Sequence, residues 1–414
     1  MMKTFNVVDL FSGGGGLSEG FHRQGFNIIS YVEMDKYACQ SLATRHAYHI
    51  LKENDMLDIY YEYLKERITS DDLFHYIKDP IPVINKEITG NTIPEIKKEI
   101  KRNMERSKIK SIDVFIGGPP CQAYSLVGRA RDPYNMEHDN RNTLYKYYVE
   151  LLKEFKPDIF IFENVPGILS AGKGKLFSDM RSHFKNAGYW VDYKPLDASE
   201  FMVLQKRKRI ILIGWRNNLN LSYPEFTSLK HKYLVKDLLY DLPPLNPGRS
   251  AETGDYITEP SKYLLKSGIR DCEHEDILLR HITRPINWRD RQIYKRAITL
   301  WRKKGERLKY SDLPLSLKTH RNEISFSDRF KVVADSLPHS HTVVAHIAKD
   351  GHYYIHPDEK QLRSISVREA ARLQSFPDDY QFEGPRTSQL VQIGNAVPPL
   401  MADKIAEKIK KMLK

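Results

Sequence analysis

The stretch FNVVDLFSGGGGLSEGF, residues 5–21, decides the fold. It begins as an apolar run typical of a buried strand, passes through four glycines at residues 13–16, and ends in a pattern typical of a helix. Glycines at such a junction let the chain turn tightly and let a ligand approach the backbone amides. The stretch therefore predicts the first strand and helix of an α/β sheet, with a ligand site at the carboxyl end of that strand.

Four later runs repeat the strand signal: IISYVEM (28–34), DVFIGG (113–118), DIFIFEN (158–164) and RIILIGW (209–215). Helical spacing between these runs is clearest at Leu144, Tyr148, Leu151 and Phe155. Alternation of strands and helices predicts a doubly wound α/β sheet. Ligands of such sheets lie at the carboxyl ends of the strands, so the residues that follow each run are the candidate site.

Composition limits the classes of protein to consider. With 414 residues, 41% of them hydrophobic, the chain is long enough for two domains. Its three cysteines, Cys39, Cys121 and Cys272, form no disulfide or metal-binding pattern, and no apolar run approaches the roughly 20 residues of a membrane span. We therefore expect a soluble protein in a reducing, cytoplasmic compartment.

Positive charge is concentrated in one region. The net charge is +12, and residues 280–321 hold 13 Lys and Arg against three acids, interleaved with aromatic residues. One interpretation is the solvated face of an amphipathic helix, because Tyr294, Ile298 and Trp301 recur at helical spacing. The other is a surface that binds nucleic acid through phosphates and bases.

Unusual residues follow three of the predicted strands. Glu33 lies twenty residues after Gly13, where an acid can hydrogen-bond a ribose hydroxyl, and the combination predicts a nucleoside cofactor. The glycine spacing is not that of NAD-binding proteins, and no phosphate-binding GxxxxGK[ST] loop is present. In GGPPCQAYS (117–125), two prolines fix the backbone just before Cys121, and Glu163 ends the next strand. Cys121 or Glu163 alone could be a structural residue, but the two together indicate catalysis.

These motifs resemble those of the DNA (cytosine-5) methyltransferase family of the bacterial restriction-modification type. The resemblance rests on six stretches that follow the family order: DLFSGGGGLSEGF (9–21), GGPPCQAYS (117–125), ENVPG (163–167), QKRKRIILIG (205–214), SVREAARLQSFPDDY (366–380) and QIGNAVPP (392–399). It implies a doubly wound, Rossmann-like methyltransferase domain that uses S-adenosylmethionine, with a smaller target-recognition domain that binds double-stranded DNA.

The resemblance also implies roles for individual residues. Cys121 is the expected nucleophile at carbon 6 of a flipped cytosine, Glu163 neutralises charge at N3 of the ring, and Arg207 and Arg209 hold the base and the glutamate. The expected cofactor-binding residues are Phe11, Gly13, Gly15, Glu33, Asp55, Pro120 and Asn395. The expected DNA-binding residues are Gln122, Ser125, Arg141, Thr342 and Val343. No metal ligand is expected.

The motif positions suggest three divisions of the chain. Residues 1–222 form the catalytic and cofactor-binding domain, 223–345 the target-recognition domain, and 346–414 a hinge and C-terminal segment that returns to the first domain. An insertion at about 59–110 lengthens the first domain relative to the family, and its role is open. Within it, Thr92 and Glu95 predict a capping box at the start of a basic amphipathic helix.

Two other functions remain open at this point. A tRNA cytosine-5 methyltransferase would share the catalytic motifs, although the Cys-Phe-Thr signature of that family is not in the sequence. A catalytically silent DNA-binding relative is the second. We further expect a monomer in the bacterial cytoplasm or nucleoid. A companion restriction endonuclease acting on the same site is a partner that the sequence does not establish.

Overall fold

A seven-stranded sheet forms the centre of the computed structural model, which describes residues 3–77, 80–120, 143–248, 250–271, 276–320 and 326–414. Its strands are β1 (Asn6–Leu10), β2 (Asn27–Glu33), β3 (Val83–Asn85), β4 (Val114–Gly117), β5 (Ile159–Asn164), β6 (Tyr189–Asp197) and β7 (Lys208–Arg216). They lie in the order β3-β2-β1-β4-β5-β7-β6. The first five are parallel, whereas β7 is antiparallel to both of its neighbours. The predicted doubly wound α/β sheet is confirmed.

Chain order reverses between β1 and β4, which are neighbours in the sheet. Loops that leave the carboxyl ends of two such strands diverge and open a crevice, which is where ligands bind in this class of fold. The glycine-rich stretch leaves β1 at this point, and residues 118–120 leave β4 beside it. The topology therefore brings two of the sequence motifs to one crevice.

Helices cover both faces of the sheet. Along the chain they are α1 (Gly16–Arg23), α2 (Lys36–Glu53), α3 (Leu57–Leu64), α4 (Ser70–His75), α5 (Ile93–Arg106), α6 (Leu144–Phe155), α7 (Lys175–Asn186), α8 (Lys262–Ser267), α9 (Trp288–Lys304), α10 (Val367–Leu373), α11 (Arg386–Asn395) and α12 (Pro399–Met412). A hairpin of β8 (Ser250–Gly254) and β9 (Leu278–Ile282) lies outside the sheet. Short 3-10 turns occur at Pro166–Gly174, Ala198–Phe201, Val235–Leu238, Tyr310–Asp312, Leu315–Leu317 and Ala345–Ala348. No helix in the described ranges is both long and apolar enough to cross a membrane.

The C-terminal helix packs on the first helix of the chain. Met401, Ile405 and Ile409 of α12 are fully buried in one core with Phe21 of α1 and the strands beneath it. Burying side chains of this size contributes about 1.5 to 3 kcal/mol each. Gly20 allows the close approach, because a Cβ at this position would overlap Ala402. The end of the chain is thus part of the sheet's own core.

Much of the expected insertion is helix α5, which packs on the opposite face of the sheet. Helix α5 connects β3 to β4 and buries Ile93, Ile96 and Ile100 against the sheet, as their spacing predicts. A parallel pair requires a crossover of this kind, so α5 belongs to the doubly wound pattern. The predicted capping box at Thr92 is wrong, because its backbone is already helical and its hydroxyl donates to the Glu87 carbonyl. Helices α3 and α4 are the elements that stand outside the pattern.

Residues 223–345 are packed by two smaller cores. In one, Tyr294 and Ile298 of α9 contact a group that includes Tyr310 and Phe330. In the other, Tyr263 of α8 joins residues from α10 and α11. The helix predicted from Tyr294, Ile298 and Trp301 is confirmed as α9. These cores also include residues after 345, such as Ile355 and Val367, so residues 223–345 do not pack separately from the C-terminal part of the chain.

Candidate active site

The glycine-rich loop between β1 and α1 is shaped by backbone conformation and by packing. Gly13 and Gly15 have φ of 53° and 72°, in the left-handed region that favours glycine. A Cβ on Gly15 would lie 2.5 Å from the hydroxyl of Tyr380, and one on Gly16 would overlap the carbonyl of Val397. Larger side chains here would push away the C-terminal part of the chain, so the loop depends on glycine for its contacts as well as its turns.

Glu33 fastens this loop from the end of β2. Its Oε2 accepts a hydrogen bond from the Gly13 amide at 2.8 Å, and its Oε1 accepts from the amides of Met34 and Asp35, both at 2.9 Å. Burial raises the pKa of the Glu33 carboxyl above its ordinary value, and the three amide bonds oppose that rise. Since a carboxylate has about four acceptor sites, one remains for a ligand hydroxyl.

Open space adjoins the same loop at Gly13. Among the described residues, a Cβ built on Gly13 would meet only the Phe11 carbonyl oxygen, at 4.0 Å. Phe11 itself has a φ of 55°, which is strained for a residue with a side chain. The remaining acceptor on Glu33 and the unfilled space fit a nucleoside, and Phe11, Gly13 and Glu33 are the residues there that could hold one. Gly15 shapes the loop instead, because its amide donates to the Ser12 carbonyl and its Cα packs against Tyr380.

The loop after β4 is tied to the end of β5. The buried side chain of Asn164 donates from Nδ2 to the Pro119 carbonyl at 3.2 Å, and its Oδ1 accepts from the Val165 amide at 2.9 Å. Pro120 follows directly and is half-buried. Asn164 therefore fixes the backbone that leads into the predicted nucleophile. Asn164 belongs to the ENVPG stretch, but the sequence predicted no site role for it.

Four predicted site residues lie outside the described part of the chain. They are Cys121, Gln122, Ser125 and Arg141.

Glu163 is held between an arginine and a glycine. Arg209 Nε lies 2.7 Å from Glu163 Oε1, and each of the two side chains is 11% exposed. On its other side, a Cβ on Gly118 would lie 2.6 Å from Glu163 Oε2. The carboxylate is thus fixed against the backbone two residues before Pro120. The structure brings Glu163, Arg209 and the proline turn together, as the sequence analysis predicts.

Arg207 lies in the interior of the protein. It is fully buried and donates to the carbonyls of Val343 (2.6 Å), Gly394 (3.2 Å) and Asn395 (3.4 Å). Gln205 reinforces this junction by accepting from the Val343 amide at 2.7 Å. Arg207 therefore joins the segment at Val343 to the last residues of α11 and is fully buried, unlike its expected role of holding the base.

Comparison with known proteins identifies the chain. The family described as C-5 cytosine-specific DNA methylase matches residues 5–74 and 85–411. The chain belongs to this family. It is 42% identical, over 449 aligned positions, to the type II methyltransferase M.Bpa9945I of Bacillus paralicheniformis, with 98% of this chain and 99% of that protein covered. It is 30% identical to the type II methyltransferase M.DdeI of Desulfomicrobium norvegicum, with 98% and 88% covered.

Solved structures share the fold of this methylase. A candidate DNA modification methyltransferase encoded within an E. coli prophage superposes with a TM-score of 0.65 at 24% identity, with 99% of each chain covered. The Entamoeba histolytica methyltransferase EhMeth gives 0.55 at 15% identity, with 100% of each chain covered. These structures show the α/β fold alone, whereas the family match and the curated relatives identify the methylase as a type II DNA methyltransferase of the C-5 cytosine-specific kind.

The methylase does not bring Asp55 to the crevice. This residue is exposed and follows α2, whose first turn begins beside Glu33. With 18 residues and a rise of about 1.5 Å per residue, α2 carries the chain roughly 27 Å away. Asn85, at the end of β3, lies closer: its Nδ2 donates to the Glu33 carbonyl at 3.2 Å. Asn85 is a site residue that the sequence analysis missed, because the run of β3 is only three residues long.

Two predicted DNA-binding residues lie at the Arg207 junction. The side chain of Thr342 is partly exposed and donates to the Lys206 carbonyl at 2.6 Å, whereas Val343 is fully buried. Its neighbour Val344 is 40% exposed. Asn395 is exposed at the end of α11, where its carbonyl accepts from Arg207. Thr342 is therefore available for contact with DNA, and the Val343 side chain serves the core.

The basic helix α9 has two distinct faces. Ile293, Tyr294, Ala297 and Ile298 are buried, as an amphipathic helix requires. Trp288, at its first residue, is 70% exposed, which is unusual for so large an apolar side chain. The exposed face also carries Arg289, Arg291, Lys295, Arg296, Arg302, Lys303 and Lys304. Contact of this face with DNA stays a prediction.

Proposed function

We propose that the methylase transfers a methyl group from S-adenosylmethionine to carbon 5 of a cytosine flipped out of a specific duplex DNA sequence. The observation that carries this proposal is the placement of Glu163, held by Arg209 against Gly118, at the turn that leads directly to Cys121. A fixed carboxylic acid beside a thiol is the pair that activation of a cytosine ring requires.

The cofactor would be held at the crevice between β1 and β4. Phe11, Gly13 and Glu33 adjoin the open space there, Gly15 gives the loop its turn, and Pro120 follows β4 in the chain. When bound, S-adenosylmethionine supplies an electrophilic methyl group. Asn395 reaches the same region at the end of α11, and Asp55 has no part in the proposal.

The protein's own residues would activate the cytosine. The thiolate of Cys121 adds to carbon 6, which makes carbon 5 nucleophilic and moves electron density onto N3. Glu163 places a proton at N3, and Arg209 keeps the carboxyl group in position for it. Asn164 holds the Pro119 carbonyl, which fixes the backbone that precedes Cys121 in the chain. Carbon 5 would then take the methyl group, with the donor sulfur left as a neutral thioether. A base would remove the carbon 5 proton, and the electron pair of that C–H bond would restore the double bond between carbons 5 and 6 and expel the thiolate.

DNA would be recognised by residues 223–345. The exposed cations of α9 support phosphate contacts, and Thr342 lies where this region meets the strand of Arg207 and Arg209. Base flipping is part of the proposal because carbon 5 and carbon 6 of a stacked cytosine cannot be reached together from opposite faces. We place the methylase in the bacterial cytoplasm as a monomer, with a companion endonuclease as a possible partner.

Bisulfite sequencing tests this function directly. DNA from cells expressing the methylase should show protected cytosines at one recurrent sequence, and DNA from cells expressing Cys121→Ser should show none. Methyl incorporation into tRNA but not DNA would favour a tRNA methyltransferase. Incorporation into neither, with DNA binding intact, would favour a silent relative.

A further inference from the structure

Helix α3 stands outside the doubly wound pattern and packs on the side of α2. Its Leu57, Tyr60 and Leu64 are buried together with Leu51 of α2 and Leu279 of β9. This apolar contact fixes α3 between the sheet domain and the hairpin. This apolar packing does not by itself require the two hydrogen bonds that tyrosine hydroxyls of α3 also make.

Two tyrosine hydroxyls of α3 reach the segment that connects α10 to α11, residues 374–385, here called the connecting segment. Tyr60 donates to the Asp379 carbonyl at 2.7 Å, and Tyr63 donates to Glu383 Oε1 at 2.8 Å. The connecting segment contains no helix or strand. Its position therefore depends on side-chain hydrogen bonds of this kind.

The connecting segment in turn holds the glycine-rich loop. Tyr380 donates from its hydroxyl to the Gly14 carbonyl at 2.9 Å. The Glu383 amide donates to Ser41 Oγ at 2.8 Å, and Ser41 donates to Gln392 Oε1 at 2.7 Å. Gln392 packs so closely on Gly14 that a Cβ there would lie 3.1 Å from it. Two separate contacts thus transmit the position of the segment to Gly14.

The two halves of the connecting segment are supported differently. From the interior, Arg368 donates to the carbonyls of Pro377 and Tyr380, both at 3.1 Å. The Glu383 carboxylate, in the outer half, is bound by Thr44 at 3.0 Å and by Tyr63. Helix α3 therefore supplies one hydrogen bond to each half, from Tyr60 to Asp379 and from Tyr63 to Glu383.

We propose that α3 is a brace for the cofactor loop: Tyr60 and Tyr63 position the connecting segment, and through it Gly14. The two tyrosines are positioning residues, since nothing places them at the reacting atoms. This inference rests on the proposed use of S-adenosylmethionine. It assigns a role to the part of the expected insertion that the doubly wound sheet does not need.

The test is cofactor affinity measured by calorimetry on the full chain. Tyr60→Phe/Tyr63→Phe keeps both rings in the core and removes only the two hydroxyls. The Tyr60 hydrogen bond is neutral, the Tyr63 bond is charge-assisted, and each contributes a modest free energy, of which only part affects Gly14. We therefore expect the Kd for S-adenosylmethionine to rise about three- to tenfold. The number of sites per chain should stay near that of the unchanged protein, since a purely structural loss would lower that number and leave Kd alone.

A matched control removes the same chemistry elsewhere. Tyr189 and Tyr223 are buried, and their hydroxyls donate to the carbonyls of Pro157 (2.8 Å) and Ile211 (2.9 Å). Tyr189→Phe/Tyr223→Phe should leave the Kd unchanged. An unchanged Kd in the α3 variant, or an equal rise in both variants, overturns the brace. If the α3 double variant fails to fold, the single variants carry the test, each with about a twofold rise.

Failure of the proposed function gives a different result. If the unchanged methylase binds no S-adenosylmethionine, the proposed function and the brace fall together. If the unchanged methylase binds S-adenosylmethionine and the α3 variants bind it with the same Kd, the proposed function stands and the brace alone fails.

Discussion

Replacement of Glu33 by alanine should separate its role toward the cofactor from its role within the protein. The side chain accepts three amide hydrogen bonds, of which those from Met34 and Asp35 are exposed and that from Gly13 is partly buried. In Glu33→Ala, water can replace the two exposed bonds. The Gly13 amide loses a partner in a less accessible position, which costs about 1 to 3 kcal/mol of folding stability.

The effect on cofactor binding has a separate magnitude. The remaining acceptor site of Glu33 would take a ribose hydroxyl, and a hydrogen bond to a charged acceptor contributes about 1.5 to 3 kcal/mol. Loss of this bond weakens the affinity for S-adenosylmethionine about 10- to 150-fold. Glu33→Gln keeps an oxygen for the two exposed amides and should give a smaller loss of both affinity and stability.

Calorimetry and urea unfolding measure the two effects on the same samples. Asn287→Ala is a suitable control, since its Oδ1 caps α9 by accepting from the Asp290 amide at 2.8 Å and its loss costs about 1 kcal/mol away from the crevice. That variant should lose stability and keep its cofactor affinity. If Glu33→Ala behaves in the same way, Glu33 only fastens the loop and the ribose contact is refuted.

Four further predictions follow from single positions. Cys121→Ser should abolish methylation while a gel-shift assay still detects DNA binding, because a hydroxyl is a much weaker nucleophile than a thiolate. Gly118→Ala should lower kcat about 10²-fold with unchanged cofactor affinity, because its Cβ would lie 2.6 Å from Glu163 Oε2 and displace that carboxylate. Arg207→Ala should lower the free energy of unfolding by about 3 kcal/mol, as three carbonyls lose a buried donor. Burial lowers the pKa of His356 to about 3, so the unfolded chain binds a proton there below about pH 6.5 that the folded protein does not. His356 alone should therefore contribute a fall in stability of about 1.4 kcal/mol per pH unit from pH 6.5 toward 3, and His356→Gln should reduce the slope measured in urea titrations by about that amount.

The sequence predicted the parts of the fold that depend on long apolar runs. Strands β1, β2, β4, β5 and β7 all lie where such runs occur, Glu33 is the last residue of β2, and Glu163 is the last but one of β5. The apolar run of β7 could not predict that this strand lies between β5 and β6. An antiparallel strand that returns into the sheet depends on pairing with both neighbours and leaves no local pattern. The contact of Arg209 with Glu163 follows from that pairing.

Short elements and helix direction account for the residues that were misplaced or missed. β3 has three residues, too few to show a period, so Asn85 could not be recognised as the end of a strand. Asp55 was chosen from the motif order instead, and the length of α2 carries it away. Thr92 has the right residue type for a cap, but its hydroxyl is already bonded to the Glu87 carbonyl. A short strand, the length of a helix and a local hydrogen bond decided these three positions, and none of the three shows in the spacing of residue types.

The four glycines of the opening stretch serve two different requirements. Gly13 faces open space and donates to Glu33, which suits a ligand loop. Gly14, Gly15 and Gly16 instead face Gln392, Tyr380 and Val397, from more than 360 positions later in the chain. A ligand loop needs only the first kind of glycine. Three more are present because the end of the chain closes on the loop, so both ends of the chain together build this side of the crevice.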